Sequence, residues 1–197
     1  MAAGTSTREL ILEISIRHFA QKGYAAVNLM DIAREAGITR GPLYYYFANK
    51  AELYVACVHR VLESSQASYE AILSSGKPVL EVIRNDMRFC LSDDGLLQRM
   101  GGGGKDEPDC SREVAAFQHW LLSRKIRLFT EARARGELPE SCDPARLATF
   151  IYIYYYGVRG TRVLAQTVQG FDDAMLDQAA DALIAAICSV YPGIRQS

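Results

Sequence analysis

The sequence predicts an all-α protein of about nine helices, and three observations support that fold class. Apolar residues recur at intervals of three and four along almost the whole chain, as Leu12, Ile16 and Phe19 do near its start. This spacing is the period of a helix that is buried on one face. No stretch alternates apolar and polar residues as a half-buried strand does. Glycine and proline interrupt the periodic runs at the places where helices would end.

Size and composition are those of an ordinary globular protein. The chain has 197 residues, of which 49% are hydrophobic and 23% charged, and these proportions suffice for a sizeable core. The formal net charge of −1 excludes binding of nucleic acid through a global positive field, so any DNA contact must come from a local surface. The sequence shows no transmembrane run and no secretory signal. We therefore expect a cytoplasmic protein that does not bind membranes.

Signals for helix ends divide the first half of the chain. Lys22 and Gly23 form a typical helix C-terminus, in which a cation is followed by a glycine outside the last turn. Asn28 is placed to cap the next helix and Thr39 to cap the one after it. We expect helices that end near residue 23 and that span about 29–36, 39–47, 50–74, 79–91 and 96–100.

The second half begins with a clear loop, GGGGKDEPD at residues 101–109, which we interpret as a flexible connector. It is not a phosphate-binding loop, because that motif requires a glycine where Arg99 stands and a serine or threonine where Asp106 stands. Asp143 followed by Pro144 is a strong signal for the start of a helix. We expect helices at about 111–136, 144–168 and 173–191.

Residues 29–48 meet the packing demands of a helix-turn-helix, in which two helices cross steeply over a short turn. The first helix needs an apolar inner face with a small residue at the closest approach, and the turn needs a residue that accepts a left-handed backbone. The second helix must bury two side chains about one turn apart. The residues that meet these demands are Ile32, Ala33, Ala36, Gly37, Ile38, Leu43 and Tyr46. An ordinary helical hairpin is the alternative interpretation.

The stretch GYAAVNLMDIAREAGITRGPLYYYFANKAELYVACV, residues 23–58, resembles the DNA-binding region of the tetracycline-repressor (TetR) family of bacterial regulators. The motifs that carry the resemblance are Asp31-Ile32-Ala33, Ala36-Gly37-Ile38, and Leu43-Tyr44-Tyr45-Tyr46-Phe47 followed by Asn49-Lys50. The resemblance implies a helix-turn-helix head at residues 1–52 and a ligand-binding and dimerisation body at residues 53–197. It also implies a homodimer on a double-stranded DNA operator, which most members repress until a small-molecule inducer releases them.

The start of the predicted recognition helix supplies three candidate DNA contacts. Thr39 and Arg40 lie where free N–H groups and the helix dipole suit a phosphate. Arg40 can also form two hydrogen bonds with a guanine edge. Gly41 lets the backbone approach DNA closely. Pro42 replaces the small polar residue that is usual in the family, so we do not expect a base contact there.

Four further candidate DNA contacts follow along the chain. Tyr44 and Tyr45 lie on the outward face, where their hydroxyls can bind phosphates and their rings can contact thymine methyls. Tyr46 belongs partly to the core in the helix-turn-helix pattern, although family members often place a phosphate contact at this position. Lys50 resembles the phosphate-binding lysine of the family. The alternative for the tyrosines is packing alone.

The last two long helices are predicted to form the dimer interface. Leu147, Ile151 and Tyr154 share one stripe of the first helix, and Leu183 and Ile187 share one stripe of the second. Two such helices from each subunit would form a four-helix bundle. Packing within the chain is the alternative.

The inducer site is expected inside the body, as the resemblance implies. Its predicted lining residues are Met87, Phe117, Trp120, Tyr152, Tyr155 and Arg159. Because most of them are apolar or aromatic, we expect a partly apolar inducer. Ordinary core packing is the alternative for the apolar residues, and ion pairing is the alternative for Arg159.

Neither a catalytic nor a metal-binding pattern occurs in the sequence, so we expect no enzyme and no cofactor. The five cysteines form no C-x-x-C pair and only three histidines accompany them, so the spacing of a zinc site is missing. Reduced thiols are the simpler interpretation, with Cys110 as the candidate for a redox role because it lies near the connecting loop.

The competing function is a soluble α-helical small-molecule carrier or enzyme whose head no longer binds DNA. Arg40, Tyr45 and Lys50 argue against it, because a decayed head should lose its phosphate-binding positions.

Overall fold

Eight helices make up the part of the chain that the structure describes. The computed structural model describes residues 6–92, 106–165 and 173–194, except for the side chains of 92, 159–165 and 173–177. The helices are α1 Thr7–Ala26, α2 Leu29–Glu35, α3 Arg40–Tyr46, α4 Lys50–Leu73, α5 Val79–Ser92, α6 Ser111–Ala134, α7 Pro144–Ala165 and α8 Asp173–Val190. The described residues contain no strand, so the all-α prediction is confirmed. The helix predicted at 96–100 lies outside the described residues.

The helix ends follow from local hydrogen bonds. Asn28 caps α2, since its side-chain oxygen accepts the backbone N–H of Met30 at 2.9 Å. Asp143 caps α7 in the same way, accepting the backbone N–H of Ala145 at 2.9 Å. Thr39 precedes α3 with an extended backbone, but its side chain makes no capping hydrogen bond. Thr39 therefore occupies the N-cap position of α3, but its side chain does not cap the helix.

The chain packs into two compact units. The head unit combines residues 1–66 with 95–117, and the body unit combines residues 67–94 with 118–197. Helices α4 and α6 each contribute residues to both units. The functional boundary that the resemblance places at residue 52 stays a prediction, because compactness does not test which residues bind DNA.

An apolar core holds the helix-turn-helix in the head unit. Ile32, Ala33 and Leu43 are each at most 1% exposed in that core. Gly37 has a φ of 66°, the left-handed conformation that L side chains rarely adopt. The other apolar positions of the motif are partly buried against the same core; they are Ala36, Ile38 and Tyr46.

The core of the body unit contains the two stripes that were predicted to form the dimer interface. Leu147, Ile151, Leu183 and Ile187 are each at most 1% exposed in a single chain and belong to one core. The prediction that these stripes form the interface is therefore wrong. Helical period shows which residues share a face, but it does not show whether the same chain or a second one covers that face.

Cys110 lies in the core of the head unit and not in an exposed loop. It is 1% exposed, and burial raises the pKa of its thiol. A redox role that needs an exposed thiolate is therefore ruled out for Cys110 in this conformation.

Surface charges join α1 to α2 in the head unit. Glu35 of α2 accepts a hydrogen bond from Nη2 of Arg17 at 2.7 Å, and its other oxygen lies 2.7 Å from Nε2 of His18. The hydrogen bond with His18 and, to a smaller extent, the hydrogen bond with Arg17 hold the pKa of Glu35 below its ordinary value. Helix α2, the first helix of the motif, is thus held against α1 by polar contacts as well as by the apolar core.

We predict that Glu35→Gln makes the stability of the protein less sensitive to acid. A carboxyl group with a lowered pKa in the folded state contributes stability above its ordinary pKa of 4.5, and this contribution is lost as the pH falls through the folded value. Urea unfolding at about pH 7 and about pH 3.5 should show a smaller loss of stability for Glu35→Gln than for the native chain. The exposed Glu13→Gln is the control and should behave as the native chain. Equal losses in all three proteins would contradict the prediction.

Candidate nucleic-acid interface

A groove of about 650 Å³ opens on the surface of the head unit beside the second helix of the motif. Residues 25–30 border it on one side, Arg40 and Tyr44 of α3 border it on another, and Asn49 and Lys50 at the start of α4 complete it. Three of the predicted DNA contacts, Arg40, Tyr44 and Lys50, therefore line one groove.

Lys50 is ordered at the edge of this groove by two contacts. Its Nζ donates a hydrogen bond to the carbonyl oxygen of Ala25 at 3.1 Å and lies 4.6 Å from the centre of the Tyr24 ring. Partial burial lowers the pKa of Lys50, because the charged form loses part of its hydration. Its backbone position is set by Asn49, whose side chain accepts the N–H of Glu52 at 2.9 Å and so caps α4. The ammonium group thus presents a positive charge with little side-chain entropy left to lose.

Arg40 is ordered in a similar way on the other side of the groove. The central carbon of its guanidinium lies 4.8 Å from the centre of the Tyr44 ring, one turn further along α3. A guanidinium stacked on an aromatic face keeps its N–H groups pointing outward in its own plane. Tyr44 remains 38% exposed. The pair therefore presents hydrogen-bond donors beside the groove.

The two following tyrosines have different surroundings. Tyr45 is 82% exposed, as its predicted outward position requires. Tyr46 is partly buried against the core of the head unit. Its ring makes an edge-to-face contact with the ring of Tyr45, and the ring centres are 5.0 Å apart. Tyr46 thus supports Tyr45 from below, and a DNA contact by Tyr46 itself stays a prediction.

Thr39 and Gly41 are both exposed at the start of α3. A Cβ atom added to Gly41 would have no atom of this chain within 4 Å. Packing inside the chain therefore does not require a glycine at this position. Close approach of another molecule remains a physical reason for it.

Comparison with known proteins identifies the family. The model of the family described as bacterial regulatory proteins, tetR family, matches residues 11–57. Two HTH-type transcriptional regulators of Pseudomonas putida are each 45% identical to this chain: ArpR, named as a probable regulator, with 80% of both chains covered, and TtgR, with 77% of this chain and 78% of TtgR covered. The chain belongs to the TetR family. It is therefore a DNA-binding transcriptional regulator, as the resemblance implied.

The fold of this TetR-family protein is also that of solved structures. SmeT, described as the repressor of the Stenotrophomonas maltophilia multidrug efflux pump SmeDEF, matches with a TM-score of 0.68 at 24% identity, covering 96% of this chain and 93% of SmeT. A complex of SmeT with triclosan matches with the same TM-score of 0.68. At this level of identity the likeness shows the fold alone.

Two of the predicted inducer contacts of this TetR-family member, Met87 and Tyr155, belong to the core of the body unit. Met87 is 1% exposed in the core of the body unit, and Tyr155 packs partly buried against that core. Tyr152 contacts the ring of Tyr156 with centres 4.6 Å apart, and Trp120 is partly buried in the body unit.

Phe117 and Arg159 are the two remaining predicted contacts. Phe117 belongs to the head unit, and the side chain of Arg159 lies outside the described residues. A groove of about 780 Å³ in the body unit is lined by other residues, among them Pro78, Arg124 and Glu137. The inducer contacts therefore stay a prediction.

Two features of the protein were missed by sequence reasoning. Tyr24 holds Lys50 through its ring face; its place beside Gly23 in the family motif was the available signal. Asp86 of α5 and Lys125 of α6 form a buried ion pair in the body unit, with 2.7 Å between Oδ2 and Nζ. No local signal reveals that pair, because its members lie on separate helices.

The described ranges offer neither a metal site nor a membrane-spanning helix. These residues contain no cluster of histidine, cysteine, aspartate and glutamate that suits a metal ion. No described helix combines the length and apolar character that a membrane crossing requires.

We predict that Lys50→Met weakens binding to any DNA duplex and reduces its salt dependence. The slope of log K against log salt concentration is negative, and loss of one phosphate contact should reduce its magnitude by about 0.9. Binding to a duplex of arbitrary sequence, measured by fluorescence anisotropy between about 50 and 200 mM salt, provides the slope. Lys22→Met removes an exposed lysine of the head unit that lies off the groove, and it should leave the slope unchanged. Identical slopes for Lys50→Met and the native chain would exclude a phosphate contact by Lys50.

Proposed function

We propose that this TetR-family regulator is a cytoplasmic, ligand-responsive repressor that binds a double-stranded operator as a homodimer. The groove at the recognition helix carries the proposal, because Arg40, Tyr44 and Lys50 all line it. Two cations and a phenol are groups that bind phosphate oxygens. Tyr45 projects into solvent beside them and suits a contact with a thymine methyl or a sugar.

The ordering of the two cations favours this proposal over a carrier or enzyme with a non-functional head. Arg40 lies on the ring of Tyr44 and Lys50 lies on the ring of Tyr24. Both arrangements hold a positive charge in a fixed place on the surface, where it adds little to folding stability. Fixed surface cations do contribute to binding, since less side-chain entropy is lost when a phosphate arrives.

The outward faces of α7 and α8 support a homodimer. Ile153 of α7 is 64% exposed and Phe150, one turn earlier, is 39% exposed. Ala182 and Ala185 of α8 are exposed as well, and such small residues allow another helix to approach closely. The two helices are joined by Tyr154, whose hydroxyl donates a hydrogen bond to the carbonyl oxygen of Ala179 at 2.9 Å. A large exposed aliphatic side chain on a fixed helix pair is typical of an interface.

A small, partly apolar aromatic compound is the inducer that we propose. The body unit has aromatic side chains on α7, among them Tyr152, Tyr155 and Tyr156. The triclosan complex of SmeT, a protein with the same fold, supports an effector of this kind for the present chain.

Helix α4 is the element that we propose to carry the signal from inducer to DNA. It begins at Lys50 in the head unit and ends at Leu73 in the body unit. In the head unit, the hydroxyl of Tyr54 on α4 also donates a hydrogen bond to Glu107, just before α6. Two recognition helices must reach major grooves about 34–36 Å apart, so a small movement of α4 would disturb both half-sites. A coupling free energy of about 1–3 kcal/mol is sufficient.

We predict that Ile153→Arg converts the dimer into a folded monomer. The side chain is exposed in the single chain, so the change should alter monomer stability by less than about 0.5 kcal/mol. In a dimer it would bury a charge that has no partner, at a cost of several kcal/mol. Sedimentation velocity at micromolar concentration measures the mass. Ala134→Arg on the exposed surface of α6 is the control and should remain dimeric, and a native chain that sediments as a monomer would contradict the proposal.

We also predict specific operator binding that Gly41→Ala reduces. The native protein should bind the DNA upstream of its own coding sequence more tightly than an unrelated duplex of equal length. Alanine at position 41 should keep or raise the melting temperature, since alanine favours a helix by up to about 1 kcal/mol over glycine. It should nevertheless weaken operator binding by about tenfold or more, because the added methyl group separates backbone and phosphate. Equal binding of operator and unrelated DNA by the native chain would contradict the proposed function.

A further inference from the structure

The body unit contains a buried ion pair. Nζ of Lys125 on α6 lies 2.7 Å from Oδ2 of Asp86 on α5, and the two side chains are 7% and 3% exposed. Removing two charges from water carries a large desolvation cost for each ion, and a protein with apolar residues of the same volume in their place is often as stable or more stable. The pair is therefore poorly explained by folding stability alone.

Further polar groups surround the pair. The sulfur of Cys90 lies 3.9 Å from Oδ1 of Asp86 and 3.0 Å from the hydroxyl of Tyr69. Nζ of Lys125 lies 5.9 Å from the centre of the Tyr69 ring. Burial acts to lower the pKa of Lys125, but the charge of Asp86, with smaller contributions from Cys90 and Tyr155, raises it above its ordinary value. Three helices of the body unit and the end of α4 thus supply groups to one buried polar cluster.

The ammonium group of Lys125 has unused hydrogen-bonding capacity. It carries three N–H donors, and the described residues provide it with one acceptor, Asp86, together with the face of the Tyr69 ring. A buried donor without an acceptor carries a desolvation cost. A bound molecule with an oxygen acceptor would remove that cost.

The rings next to the cluster suit an aromatic body. The rings of Tyr69 and Phe89 make an edge-to-face contact with their centres 4.9 Å apart. Met87 follows Asp86 on α5 and is 1% exposed in the apolar core of the body unit. Methionine and aromatic side chains pack well against a flat ring.

We propose that Asp86 and Lys125 form the polar anchor of the effector site and select neutral aromatic hydroxyl compounds. This inference rests on the proposed ligand response and names the class of ligand. A hydroxyl group can accept from Lys125 and donate to Asp86 at the same time. A carboxylate ligand would add an uncompensated negative charge to the buried, neutral pair, and a ligand without a polar group would leave the hydrogen-bonding capacity of Lys125 unused. Because the pair is neutral overall, a neutral ligand leaves its charge balanced.

Calorimetric titration with three probes of one shape tests the proposal. The probes are naphthalene, 2-naphthol and 2-naphthoate, at a pH of about 7, where a phenol is neutral. The native protein should bind 2-naphthol about tenfold or more tightly than either of the others. The double variant Asp86→Leu/Lys125→Met replaces both charges with apolar groups and should bind naphthalene and 2-naphthol equally within about twofold. Glu70→Gln/Arg124→Met, which removes a more exposed ion pair of the body unit, should keep the preference for 2-naphthol.

Two results would overturn the inference. The first is a native protein that binds none of the probes or shows no preference for 2-naphthol, and this result does not depend on whether a variant folds. The second is a double variant that keeps the preference. Operator binding is measured on the same samples. If operator binding is intact, either result refutes only the role of Asp86 and Lys125 as the anchor of the effector. If operator binding is absent, the proposed function itself is refuted.

Discussion

The burial of Ile32, Ala33 and Leu43 in one core is the constraint on which the DNA-binding surface depends. These side chains are almost completely removed from water, so the inner faces of α2 and α3 are fixed against each other. Gly37 permits the sharp turn between the two helices because its backbone is left-handed. With the inner face of α3 fixed, Arg40, Tyr44 and Tyr45 can only point outward. The chemistry of the surface is therefore a consequence of apolar packing beneath it.

Aromatic rings connect that packing to the charged surface. In the head unit, the ring of Tyr54 makes edge-to-face contacts with the rings of Phe19 and Tyr24, whose centres lie 5.0 and 5.1 Å from its own. The other side of this cluster holds Lys50 over Tyr24. Tyr54 in turn donates a hydrogen bond to Glu107, next to the start of α6. Side chains of α1, α4 and the segment before α6 thus set the position of the candidate phosphate contact within the head unit.

The body unit combines an apolar framework with a small polar interior. Helices α5, α7 and α8 bury their apolar stripes against one another, and this leaves Ile153 on the outside. Asp86 and Lys125 form a buried ion pair in the same unit. Such a pair is not required for folding stability, because apolar residues of similar volume often stabilise a core as well. One unit therefore carries both an exposed aliphatic side chain on its outer face and a buried pair of opposite charges.

The sequence by itself determined the local structure and the family. Caps such as Asn28 and Asp143, the turn at Gly37 and the helical period act over a few residues, so the helices and the helix-turn-helix follow from short segments. The groove at α3 was also predictable in part, because Arg40, Tyr44 and Lys50 lie within eleven residues of one another in the printed chain.

Only the tertiary structure decided which faces are covered and which charges meet. Leu183 and Ile187 have the same periodic pattern whether the same chain or a second chain covers them, and the structure shows that the same chain does. Cys110 looks like a loop residue in the sequence but fills the core of the head unit. Asp86 and Lys125 look like ordinary surface charges on separate helices, and only packing brings them within 2.7 Å. Burial and long-range pairing depend on the whole chain, whereas helical period and caps depend on a few neighbouring residues.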